Sequence, residues 1–251
     1  MGGLIAVALV ERNPGLFDGA LPMCGVLGGT DMAVDYIYNV RVLFDYFYPG
    51  VLPGSAVEIP EGFHWSQAQG LAYSAIIANP LPAFEMGGIA PVNIQYQSPQ
   101  ELINAILTAL VFHNASLADF VDRTHGHDFF DNADIVYSGS SDDAALNAGV
   151  GRYSSTADAE AFIRHYAEPT GDLRMPVVTL HNTRDPVVQI FNEHDYALKV
   201  AALGGMDLLT QFELDSFGHC NFTMEEMLGA FAELVDQVDA RQAADRSLAP
   251  R

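Results

Sequence analysis

Met175-Pro-Val-Val-Thr-Leu-His-Asn-Thr-Arg-Asp185 sets an apolar, β-branched run directly before a carboxylate. Residues 175–180 have the composition of a buried parallel strand, and Asp185 falls just past its expected end. A helical pattern over 191–203 follows, closed by Gly204-Gly205. A second strand, 208–214, then leads into Asp215-Ser-Phe-Gly-His219-Cys220-Asn221. Strand, Asp, helix, strand, His in this order predicts an α/β fold. It is the second half of a doubly wound sheet, with Asp185 and His219 at the carboxyl ends of its strands. A buried Asp that orients a His is what nucleophilic acyl transfer requires of its base. Asp185 and His219 are therefore the candidate catalytic residues, and the order Ser, Asp, His puts the nucleophile upstream.

The chain opens Met1-Gly2-Gly3-Leu-Ile-Ala-Val7. This resembles the right half of the elbow Gly-x-Ser-Met-Gly-Gly of α/β-hydrolases, where Ser sits on a strained strand-to-helix turn and small residues let helix and strand pack closely. The resemblance implies that Met1 follows the nucleophile and that its backbone N–H is an oxyanion-hole donor. The serine would stand one position ahead of Met1. The expectation is an esterase/lipase-like α/β-hydrolase truncated just after the elbow serine, inactive as given, that takes a small-molecule carboxylic ester and no cofactor. The resemblance extends over essentially the whole chain, but the elbow, its most specific motif, is present only in part. Other nucleophiles would change the class: Asp implies an epoxide hydrolase or dehalogenase, Cys a dienelactone-hydrolase-like enzyme. A non-catalytic binding module that kept the carboxy-terminal half is the competing reading.

Residues 2–10 are apolar almost all round, which predicts a helix buried on every side. Residues 17–25 read as a strand, although Pro22 cannot donate to a central ladder. From Val26 to about Gly171 the αβ rhythm lapses into helical patterns at 31–47, 66–78, 99–113 and 157–166. The expected organisation is a hydrolase core made of 1–27 and 172–251, with a mostly helical cap inserted at 28–171, where that family commonly carries one. Tyr36, Tyr38, Phe44, Tyr46, Phe47, Tyr48 and Trp65 crowd its first third. Most are expected to pack the insertion's own core, and a few could line an acyl or aryl pocket.

The formal net charge of −21 argues against nucleic acid and anionic membranes as partners. No uninterrupted apolar run reaches the ~18 residues of a membrane span. No charged start followed by an apolar core marks a signal peptide, and a leader would lie in the missing amino terminus, so localisation stays open. His125-Gly-His127-Asp128 lacks a third ligand in sequence, so no metal is expected. Ser138-Gly-Ser140 is not an elbow, because no strand feeds it, while Asp142-Asp143 opens a short helix. His181 and His194 read as surface or loop residues. Thr223-Met-Glu-Glu226 fits a capping box opening a helix to about Val238. Cys24 and Cys220 are too few for a disulfide framework. They can be free buried thiols or partners of each other; a further resemblance, to some tannases and feruloyl esterases, would pair Cys220 with a cysteine just before the nucleophile.

Overall fold

The computed structural model describes residues 1–126 and 129–248. His127 and Asp128, half of the metal-like pattern, lie outside the described residues. Helices α1 (Gly2–Arg12), α2 (Thr30–Phe47), α3 (Trp65–Ala78), α4 (Leu81–Gly87), α5 (Pro99–Arg123), α6 (Asp143–Gly149) and α7 (Ala157–Tyr166) precede strand β1 (Val177–Arg184). Helix α8 (Phe191–Ala202), strand β2 (Leu209–Phe217) and helix α9 (Met224–Leu248) complete the order. The protein is thus a mixed, mainly helical fold with a small parallel two-stranded sheet. Two compact units divide it, one made of Met1–Thr30 with Ala167–Arg251, the other of Asp31–Tyr166.

In the first unit β1 and β2 run parallel, paired from Val177↔Leu209 to Asn182↔Leu214, with a register shift before Arg184↔Phe217. Alternation along β1 sorts its side chains to two faces. Val177 packs with Val7 and Val10 of α1 and with Tyr196 and Val200 of α8. Val178 and Leu180 pack instead with Ala230 and Leu234 of α9. The expected strand at 17–25 is reduced to two parallel bridges, Ala20↔Val177 and Met23↔Leu180. Pro22 explains the interruption: its carbonyl accepts from Leu180 N at 3.3 Å, but it has no N–H to return. Helix α1 also departs from expectation. Only one face is buried, at Gly3, Val7 and Val10, while Ile5 and Leu9 are about half exposed. Gly3 is where α1 approaches the chain most closely, since a Cβ there would stand 2.5 Å from Gly25 Cα.

The second unit is built on aromatic packing. Tyr38, fully buried on α2, meets His113 of α5 edge-on at 4.7 Å and Phe129 at 5.2 Å. Tyr36, Phe44 and Tyr48 are buried as well, whereas Trp65 is exposed. Asn132 donates to Tyr137 Oη at 2.8 Å, and that hydroxyl donates in turn to Asn39. Helix α5 runs ten residues past the expected end at 113. It is the one described helix long and apolar enough to cross a membrane, yet it buries Leu102, Ile106, Leu110 and His113 within this protein. Helix α4 was not expected, because its prolines suggest a turn. Pro80 and Pro82 occupy the helix start, where a missing N–H leaves no bond unmade.

Candidate active site

Asp185 follows β1 and is 1% exposed. Its Oδ1 accepts the backbone N–H of Val187 at 2.8 Å and of Val188 at 3.0 Å. Short acidic side chains favour this local bonding, and Pro186 between them has no N–H to satisfy. The other oxygen, Oδ2, lies 2.7 Å from His219 Nδ1. An ionised carboxylate only accepts, so Nδ1 carries the hydrogen and Nε2 is the basic nitrogen of the neutral ring. His219 is part-buried, its side chain 29% exposed.

Three ties hold the His219 loop. Asn182, at the end of β1, accepts from Asn221 N at 3.0 Å and donates to Asn221 O at 3.1 Å and to Ser216 Oγ at 2.6 Å. Gly218, at φ +124, donates its N–H to the Arg184 carbonyl at 3.2 Å. Cys220 forms a disulfide with Cys24, with Cα atoms 5.4 Å apart. The free-thiol reading of these cysteines is therefore corrected, and so is a bond from Cys220 to a cysteine elsewhere. Of the pairings left open by the sequence, the bond between these two cysteines is the one the structure contains. Sγ of Cys24, Sγ of Cys220 and a ring nitrogen of His219 cluster within 4.8 Å. The bonded sulfurs are not thiolates, so the cluster does not fit a metal.

Met1 is exposed at the amino end of α1, its carbonyl accepting from Ile5 N at 3.1 Å. Through Gly3 the first turn of α1 lies against residues 23–25, beside the Cys24–Cys220 disulfide, whose second cysteine directly follows His219. Asp215 is mostly exposed and paired with Arg184, and Asp172 pairs with Arg174 at 3.0 Å. His194 is exposed and bonded to Glu213 at 2.8 Å. His181 corrects the sequence reading: it is fully buried, with Nδ1 3.0 Å from Glu193 Oε1 and Nε2 2.8 Å from the Val188 carbonyl. Its place within β1, where β1 runs four residues past the expected strand end, explains the burial. Two surface cavities of this unit, about 360 and 340 Å³, are lined by residues near Gly171 and Leu203 and near Leu16 and Leu234. Neither lining includes Asp185 or His219.

No protein-family model matches the sequence, and no curated protein matches it. Among solved structures, feruloyl esterase B from Aspergillus oryzae matches over 87% of this chain and 50% of its own, at 15% identity and a TM-score of 0.36. The chain thus spans half the length of that enzyme, a likeness too slight to carry fold or activity across.

Proposed function

We propose that the protein is a carboxylic-ester hydrolase of the Ser-His-Asp kind, in which Asp185 and His219 are the carboxylate and the base. The observation that carries this reading is the 2.7 Å bond from His219 Nδ1 to an Asp185 carboxylate that two backbone amides already hold. Asp185 selects the tautomer, fixes the ring and stabilises the imidazolium that forms when Nε2 takes a proton. The nucleophile on this reading is a serine joined to Met1 on its amino side, as the Met1-Gly2-Gly3 pattern implies. Its hydroxyl proton passes to His219 as the oxygen bonds the ester carbonyl carbon. The same proton then leaves with the alcohol, and water repeats the cycle on the acyl-enzyme. The Met1 peptide N–H is assigned to the oxyanion. The close approach of α1 to residues 23–25, and the disulfide from there to Cys220, support bringing these parts together. The Asp31–Tyr166 unit is read as a helical cap, and its aromatic content favours aryl or medium acyl groups.

A chain extended through the elbow and the strands ahead of it should hydrolyse a short aryl ester, and a phosphonate should label the residue before Met1. An extended, folded protein with neither turnover nor label would favour the non-catalytic module instead.

A further inference from the structure

Behind Asp185 lies a second buried pair that the acyl-transfer reading does not use. His181 comes from β1 and Glu193 from the first turn of α8, and neither is exposed. Glu193 Oε2 accepts Thr179 Oγ1 at 2.5 Å and Gln211 Nε2 at 2.7 Å, while Oε1 faces His181 Nδ1 at 3.0 Å. His181 Nε2 lies 2.8 Å from the Val188 carbonyl, which can only accept, so Nε2 carries a hydrogen. Two donors converge on one oxygen of Glu193, the arrangement that suits an ionised carboxylate, and Nδ1 then donates to the other. A ring donating from both nitrogens is an imidazolium. Burial opposes that charge, but the hydrogen bond and charge of Glu193, the Val188 carbonyl and the charge of Asp185 outweigh it and raise the pKa of His181. The charged groups facing it are Glu193 from α8 and Asp185 from the loop after β1. Strand β2 contributes neutral Gln211 and, paired with His181 in register, Glu213, whose carboxylate is bonded to His194; the bridged segment 20–23 has no charge, and Glu11 of α1 is engaged by Tyr196, Thr170 and Gly171.

We propose that His181, held as an imidazolium by Glu193, is a positioning residue for the Asp185–His219 pair. Two links connect it to that pair. Val188 gives its carbonyl to His181 and its N–H to Asp185 Oδ1, so the imidazolium pins the turn that aims the amides. Nε2 of His181 also stands 3.7 Å from Asp185 Oδ2, the oxygen that receives His219. A positive charge there attracts Oδ2 without replacing the bond to His219. The catalytic meaning of this arrangement rests on the proposed ester hydrolysis; the arrangement itself does not.

The test begins with nitrogen-15 histidine spectra of the unsubstituted 251-residue chain at pH 7. His181, assigned by sequential through-bond correlations in the unsubstituted chain, should show two slowly exchanging ring N–H protons and no titration near pH 6.5. A neutral His181 overturns the proposal even if every variant fails to fold. Glu193→Gln should turn His181 neutral and shift or broaden the His219 Nδ1–H signal, while His194→Gln should change neither. In the extended, ester-hydrolysing chain, His181→Gln should lower kcat on the order of ten- to a hundredfold with little change in KM. It should also move the acid limb of activity to higher pH, because one positive charge beside the pair is gone. A folded His181→Gln variant with an unchanged pH profile and an unchanged His219 signal overturns the proposal. Absence of the His219 Nδ1–H signal from the unsubstituted chain would instead count against the Asp185–His219 pair itself.

Discussion

At the scale of the residue, one carboxylate is singled out among several in the same stretch. Asp185 is buried, bonded by two amides and joined to His219, whereas Asp215 is largely exposed and Asp172 half-exposed, each paired with an arginine. Exposed ion pairs contribute about 0–1 kcal/mol. Asp215→Asn and Asp172→Asn should therefore leave ester turnover by the extended chain within about twofold of the unsubstituted enzyme. Turnover measured in those two variants checks this, and a loss comparable to that of Asp185→Asn would reassign the carboxylate. Asn182 should matter more than either, because it bonds Asn221 through both its oxygen and its nitrogen. Asn182→Ala leaves the Asn221 N–H and carbonyl without that partner, at about 1–3 kcal/mol in thermal or denaturant unfolding. An unchanged midpoint would show that the His219 loop stands without it. Gly3→Ala is the companion case at α1. The added Cβ meets backbone atoms of Gly25 and Met23, which cannot rotate away, and such overpacking costs about 1–3 kcal/mol.

At the scale of the element, the parts legible in the sequence were those with a strong period or a strong cap. The presence and order of β1, α8 and β2 followed from a β-branched run, a Gly-Gly stop and a second apolar run, although β1 extends to Arg184 and β2 to Phe217. Helix α9 followed from Thr223 and Glu226, which bond each other's backbone N–H at 2.7 and 3.2 Å. The Asp185–His219 bond joins residues 34 positions apart that order along the chain had already paired. What was not legible depended on neighbours remote in sequence: one-sided burial of α1, burial of His181, and the choice, left open in the sequence, of the Cys24–Cys220 bond across 196 residues over free thiols. That bond should contribute up to about 5 kcal/mol in the chain-entropy account. Two buried histidines give the units opposite responses to pH. In the second unit, burial, aided by the charge of Arg41 and opposed by the Ala56 carbonyl, pushes His113 down to about 3. Its unfolded form takes up a proton below about 6.5. Stability from this group is thus full above that pH and is lost as pH falls towards 3, on the order of 5 kcal/mol in all. In the first unit His181 is raised, so its contribution is full below about 6.5 and is lost as pH rises through the raised value. Unfolding of His113→Gln and of His181→Gln followed across pH should remove the acid slope in one and the alkaline slope in the other. Parallel slopes in both variants would contradict the assignment.

At the scale of the whole molecule, α9 is apolar on two sides. Met227, Ala230 and Leu234 pack against the sheet, while Met224, Leu228, Phe231 and Val235 are exposed at successive turns. A helix so patterned is usually covered on both sides, and α1 adds exposed Ile5 and Leu9. The 251-residue chain should therefore bind hydrophobic dye or self-associate despite its charge of −21. Leu228→Glu with Phe231→Glu should reduce both effects. A monodisperse chain with a sharp two-state melt and no dye binding would contradict this, and would strengthen the non-catalytic reading. The central claim, that Asp185 and His219 are the acid–base pair of an ester hydrolase, is tested most directly by kcat on a short aryl ester. Measured in the extended chain, Asp185→Asn should keep the fold yet lower kcat roughly 10⁴-fold, the scale of a lost triad carboxylate, and His219→Ala should lower it at least as far. Undiminished kcat in either folded variant would contradict the claim.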